Sequence, residues 1–266
     1  MARLSLRRAI TLAAGLISLA AAAPASADAV VERATLQAGF TPDRLEASTT
    51  ISFGFHITTA EGSAPPPLSS LSLQMPAGLD YSTTTLGLAI CQPAALLARG
   101  LAGCSPNSRL GYGSAFVEVP FGLGSGREIP EIQALMGPPH EGNLVVLFYV
   151  NGQAPVSAQL IFTGEVLSDT GIFGSQLAAT VPPIAAVAGG SDVSVISVQS
   201  TIGPSHLTYY RHSHGRLVAF HPRGVSLPER CPRGGFPFSA QFGFQDGSQT
   251  SASTHVPCPP PRRRKG

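Results

Sequence analysis

The sequence predicts an all-β protein of one or two disulfide-stapled, immunoglobulin-like β-sandwich modules. Three observations carry that prediction. Apolar residues recur at every second position in short runs, the period that places alternate side chains on one face of a strand. Glycine and proline, 29 and 24 in 266 residues, punctuate those runs instead of forming tracts, as turns between short strands do. Four cysteines follow an export signal, and an even count in an exported chain reads as disulfides.

The chain opens with Arg3, Arg7 and Arg8, an apolar run from Ala9 to Ala23, and a small-x-small site at Ala25-Ser26-Ala27. Residues 1–27 are therefore expected to be a signal peptide. The run is short for a spanning helix, which needs about 20 apolar residues. No cysteine stands directly after the cleavage site, so no lipid anchor is expected there, and no later segment is long and apolar enough to span. The expected location is extracellular or cell-wall associated. The rest of the chain is long enough for one large domain or two small ones. The two-module division puts an N-terminal module at 28–119 and a C-terminal module at 120–258, joined by the glycine-rich connection Pro120–Gly126. Residues 259–266, proline then "RRRK", form a disordered tail.

Each strand is read from its alternation. "ISFGFHIT" puts Ile51, Phe53, Phe55 and Ile57 on one face. "LSLQM" turns Leu71, Leu73 and Met75 inward and stops at Pro76, after the stiff loop "SAPPPL". "SAFVEV" does the same with Ala115, Val117 and Val119. The run before Asn151-Gly152 is apolar on both faces and so belongs in a sheet centre. That dipeptide predicts a two-residue turn opposing Tyr149 to Ala154, Leu147 to Val156 and Val145 to Ala158. Further on, two strand-like runs flank "HSHG". The total is about eleven to thirteen strands of ordinary length. One helix is predicted over residues 93–99, where Pro93 suits a first helical position and Gly100 stops the run.

The cysteines are Cys91, Cys104, Cys231 and Cys258. Four allow three pairings; proximity favours Cys91–Cys104 and Cys231–Cys258. Neither spacing fits a zinc knuckle, and there is no C-x-x-C for redox work. Loops of this size are worth about 3 to 3.5 kcal/mol each in the chain-entropy model. The second pair brackets an aromatic strand, with Phe236, Phe238, Ala240, Phe242 and Phe244 on one face. A two-residue Asp246-Gly247 turn would set Phe242 against Ser251. A three-residue Asp246–Ser248 loop sets Phe244 against Thr250, Phe242 against Ala252, Phe238 against Val256 and Cys258 opposite Phe236. The second register is preferred because it keeps polar groups off the apolar face, with Gly247 at positive φ.

Charge and motifs narrow the function. The formal charge of +2 falls to −1 without Arg3, Arg7 and Arg8, and to −5 without the four tail cations as well. A mildly acidic body excludes nucleic acid as a partner. The cationic tail reads as a solubilising end, with anionic envelope polymers or lipid head groups as the alternative contact. His206, His212, His214 and His221 lie close in sequence with Tyr209 and Tyr210 among them. His-x-His on a strand aims both rings to one face, which would suit a metal; placed at a turn, His212 and His214 need no ligand. No G-x-S-x-G elbow, paired-carboxylate signature, calcium loop or phosphate-binding glycine loop is present. No catalytic residue and no cofactor is assigned.

"GCSPNSRLGYGSAFV", "STIGPSHLTYY" and "LPERCPRGGFPFSAQFGFQDGSQTSASTHVPCP" together resemble a group of uncharacterised exported actinobacterial proteins, whose pattern closes with Cys-Pro, Gly-Gly-Phe-Pro-Phe and a final Cys-Pro. Here Ser105 separates Cys104 from Pro106, a departure that leaves the cysteine in place. The resemblance implies an exported β-rich protein and carries no catalytic residue. The expected function is a non-catalytic structural or binding module of the cell envelope or medium, with an envelope polymer or protein as partner. The alternatives are a glycan- or lipid-binding module, then a metal-dependent hydrolase using the His206–His221 cluster.

Overall fold

The computed structural model describes residues 32–60, 62–121, 123–154, 157–185 and 190–260. The expected signal peptide and most of the expected tail lie outside the described residues. The strands are β1 (Arg33–Thr41), β2 (Ser48–Thr58), β3 (Leu68–Pro76), β4 (Asp80–Tyr81), β5 (Arg109–Phe121), β6 (Gly124–Glu128), β7 (Glu131–Met136) and β8 (Leu144–Gly152). They continue as β9 (Ala158–Ser168), β10 (Phe173–Thr180), β11 (Ser194–Ile202), β12 (Tyr209–Ser213), β13 (Arg216–Phe220), β14 (Val225–Ser226), β15 (Phe236–Phe244) and β16 (Gln249–Val256). The α-helix, α1, spans Pro93–Arg99. Its bounds match the sequence expectation, with Pro93 in the first turn and Gly100 at φ 57° closing it.

The fold class is all-β, as the alternation predicts. Among the described residues there are sixteen strands, more than expected, because the two-residue β4 and β14 and the glycine-rich β6 leave no apolar period. Fourteen join one antiparallel sheet in the order β16-β15-β3-β10-β9-β8-β7-β5-β11-β2-β14-β4, with β1 on β2 and β6 on β5. β1 also runs beside β16, where Thr250 Oγ1 donates to the Glu32 carbonyl at 3.0 Å. The sheet thus rolls back toward its own edge, and its two halves face each other across a shared core.

That topology bears on domain organisation. β2 and β3 pair with β11, β10 and β15, so the sheet runs without a break across the boundary expected at Pro120–Gly126. The described residues of the "FGLGSG" stretch do not form an interdomain connection; Phe121 pairs with Gly124 within the β5–β6 hairpin.

Ile51, Phe53, Phe55 and Ile57 are buried, as are Leu73, Met75, Ala115, Val117 and Val119. β8 is an interior strand between β7 and β9. One face fills the core; the other, with Val145, Leu147 and Tyr149, lies under Leu96 of α1 and Cys91. The Cys91–Cys104 bond, Cα atoms 5.1 Å apart, and Cys231–Cys258, 5.8 Å apart, are both formed.

Two hairpin registers differ from expectation. Asn151 and Gly152 do not form the turn; they continue β8, pairing with Gln159 and Ala158. Glu128 supplies the reason, because its Oε1 accepts the N–H groups of Gln153 and Ala154 and holds a longer loop. Phe148 then stacks on Phe162 with centroids 5.0 Å apart. In the last hairpin the three-residue loop is Gln245–Gly247 and the register sits two residues from the preferred one: Phe242 opposes Thr250 and Phe236 opposes Val256. Phe244 and Ser248 close it, the Asp246 carboxylate accepts from both the N–H and Oγ of Ser248, and Gly247 has φ 87°. A shift of two residues preserves the face of every side chain, so the phenylalanines still point inward, and Cys258 lies beyond Phe236.

Candidate ligand cavity

Strands from opposite parts of the sheet converge on a cavity of about 140 Å³. β2 contributes Phe53 and Phe55; β5, Ala115, Val117 and Val119; β8 and β9, Phe148, Val150, Leu160 and Phe162; β10 and β11, Leu177, Ala179, Val195 and Val198. Within each strand they stand at alternate positions, which is why a period of two builds one apolar surface, except in β11, where a register shift between Val195 and Ser197 brings Val195 to the face of Val198. Two polar side chains reach the wall, and both are engaged elsewhere. Glu128 takes the Gln153 and Ala154 N–H groups, and Ser200 Oγ donates to the Tyr112 carbonyl at 3.3 Å.

Small side chains create the space: Ala115, Ala158, Ala179 and Gly152 stand where a sandwich core usually carries larger residues. Toward the N-terminal end of β11, Leu160, Val181, Ile184 and Val193 remain half-exposed. This end is the mouth. A second apolar cavity of about 70 Å³ adjoins it. The two share Phe53, Phe148 and Leu177, which form a partition. Tyr81, Leu86 and Val225 line its far side. The Tyr81 hydroxyl lies 3.1 Å from both Met75 Sδ and Ser175 Oγ, and burial pushes its pKa up to about 12.

The histidines do not assemble. His206 sits against Tyr112 with centroids 6.0 Å apart, and His221 Nδ1 lies 3.0 Å from the Leu207 carbonyl. His212 is in strand β12 and not in the turn, whereas His214-Gly215 makes the turn with φ of 50° and 74°. Among the described residues no three His, Cys, Asp or Glu are grouped to hold a metal. Both expected disulfide pairs are used up in bonding, and no free cysteine is found among the described residues. A shallow polar cleft of about 790 Å³ crosses the outer face of β2, β11, β5 and β7, with Gln37, Gln133, Gln199 and Glu131 around Tyr112.

No family model matches this chain, and comparison with curated proteins and with solved structures finds no match either. Sequence reasoning named the cavity-lining strands but not the cavity. Its signal was present only in size: alanine or glycine at several inward positions.

Proposed function

We propose that the chain is an exported, non-catalytic binding module that holds an apolar ligand inside its rolled sheet. The predominantly apolar cavity of about 140 Å³, open at one end, carries this reading. An apolar void of about 150 Å³ stays dry and takes up a benzene-sized molecule. Left empty, the space costs about 3 kcal/mol at roughly 24 cal/mol per Å³, a sizeable part of a typical domain's stability. A hydrocarbon group in the cavity recovers dispersion contacts that the wall otherwise lacks. Two disulfides support an oxidising compartment, and no helix among the described residues is long and apolar enough to cross a membrane. The glycan alternative has weaker support. Of the two aromatic residues at the polar cleft, Tyr112 and Phe53, Phe53 is buried in the core, and the sequence has no tryptophan for the stacking that sugar sites commonly use.

The test is thermal denaturation of the mature protein with benzene, with a ladder of straight-chain alcohols, and with a soluble oligosaccharide. Apolar ligands are expected to raise Tm, with about 2.7 kcal/mol of stabilisation at a roughly hundredfold excess over Kd. Ala115→Leu fills the space and is expected to raise Tm while abolishing the ligand effect. A Tm that no apolar ligand moves, in a protein that Ala115→Leu still stabilises, would reduce the cavity to a packing defect.

A further inference from the structure

The two-stranded sheet β12–β13 stands off the main sheet as an arm. Its root is fixed. Tyr209 is fully buried, and its hydroxyl joins the Gly87 N–H to the Arg109 carbonyl. The Asn107 side chain donates to the Tyr210 carbonyl at 2.7 Å and accepts the Tyr210 N–H at 2.8 Å. Beyond the root both faces are open. Tyr210, Leu217 and Val218 are 40 %, 62 % and 41 % exposed, and Arg211 and Arg216 are exposed beside them. A two-stranded hairpin with neither face covered is marginal in water. Tyr210 and Leu217 share one face of the arm and Val218 joins Arg211 and Arg216 on the other, so an occupant that takes all five must surround the tip of the hairpin, and exposed apolar side chains so gathered mark a surface with a use.

The charge of this region is one-sided. From Val193 to Pro228 the chain carries Arg211, Arg216, Arg223 and four histidines, and no Asp or Glu. Among the described residues no arginine is paired with a carboxylate, and the single contact of this kind is His140–Glu165, elsewhere on the sheet. The Arg211 guanidinium lies 5.3 Å over the Phe220 ring, which positions it without neutralising it.

We propose that this arm docks on an anionic lipid surface, with Arg211 and Arg216 on the head-group phosphates and Tyr210, Leu217 and Val218 in the interface. Charge complementarity selects an anionic partner. The apolar neighbours select a lipid surface over a soluble polyanion, which would meet the guanidiniums and leave Leu217 and Val218 in water. Leu88 and Ile90, exposed on either side of Ala89, border the root, because the Ala89 N–H donates to the Asn107 carbonyl. The arm follows the C-terminal end of β11, whereas the cavity mouth lies at its N-terminal end, about 30 Å away for a strand of nine residues. Docking therefore turns the mouth away from the lipid. The proposal does not rest on the cavity holding a ligand.

The sequence has no tryptophan, so Val218→Trp introduces a single reporter, carried by every variant below. The mature protein is titrated with vesicles of phosphatidylcholine, alone or mixed with phosphatidylglycerol. Binding is expected only to the anionic vesicles, weakened by salt, with the indole emission shifted to the blue. Arg211→Gln with Arg216→Gln is expected to weaken binding about 25-fold, at about fivefold per arginine. Leu217→Ser is expected to lose about fivefold. Arg127→Gln, at the mouth end, leaves binding unchanged. Equal binding to both vesicles, full binding by the double variant, or an equal loss with Arg127→Gln overturns the proposal. So does capture by dextran sulfate that Leu217→Ser leaves intact, with no blue shift on vesicles, which would make the occupant a soluble polyanion.

Discussion

In β15, Phe236, Phe238 and Phe242 are at most 1 % exposed; in β9, Leu160 and Phe162 follow the same alternation and stay half-exposed. Both hairpins turn their apolar positions inward. The first meets large partners: Phe40 stands edge-on to Phe236 with centroids 5.2 Å apart, and Phe55 lies 4.8 Å from Phe242. The second meets a void. Phe162 stacks on its cross-strand neighbour Phe148, and much of the remaining wall is alanine and valine. The first hairpin is also clasped by Cys231–Cys258, whereas the described part of the β8–β9 loop is held by the Glu128 carboxylate. Alternation therefore decides which way a side chain points. The facing wall decides whether it is packed.

The largest expected contrast comes from truncating matched rings. Phe238→Ala removes a fully enclosed ring and is expected to cost about 3 to 5 kcal/mol in urea denaturation. Phe162→Ala borders existing space and is expected to cost less than half of that. Equal losses would break the distinction between a packed side and a hollow one. Replacing Cys231 and Cys258 by serine is expected to cost about 3.5 kcal/mol for a separation of 27 residues, read as a shifted urea midpoint. A smaller loss would mean that the aromatic packing holds the hairpin without its clasp.

A smaller effect of opposite sign sharpens the same point. Ala240 is 0 % exposed between Phe238 and Phe242, so Ala240→Leu overpacks and is expected to cost about 1 to 3 kcal/mol. Ala115→Leu enters the cavity and is expected to stabilise by about 1 kcal/mol. The last effect concerns the Tyr81 end of the lumen. Burial raises the Tyr81 pKa from 10.0 to about 12, and burial raises that of Tyr209 as well. The folded state keeps these protons where the unfolded chain has lost them. Their contribution is complete below the unfolded value of 10.0 and is lost as the pH rises through about 12. Urea midpoints measured across that window should fall with pH, and Tyr81→Phe should fall less steeply.

Much of the fold was legible because its signals are local. The inward set on β2 needs only a period of two, and α1 needs only Pro93 and Gly100 at its ends. Gly247 could be assigned a positive φ from its place in a tight loop. The registers were less legible. Asn151-Gly152 has the local chemistry of a turn, yet Glu128, 23 residues earlier, captures the next two N–H groups and moves the turn. The domain boundary failed for a related reason: glycine-rich sequence marks a hairpin as readily as a linker, and only strand pairing separates the two.

The sequence by itself determined the strand faces, the short helix and the favoured cysteine pairs, since each depends on residues near one another along the chain. Tertiary structure alone decided the single rolled sheet, the filling of one side of its core and the hollow on the other. Those outcomes depend on which side chains meet from strands far apart in the sequence. A cavity is a shortfall of volume between facing walls, and no single strand carries the size of the wall it will face.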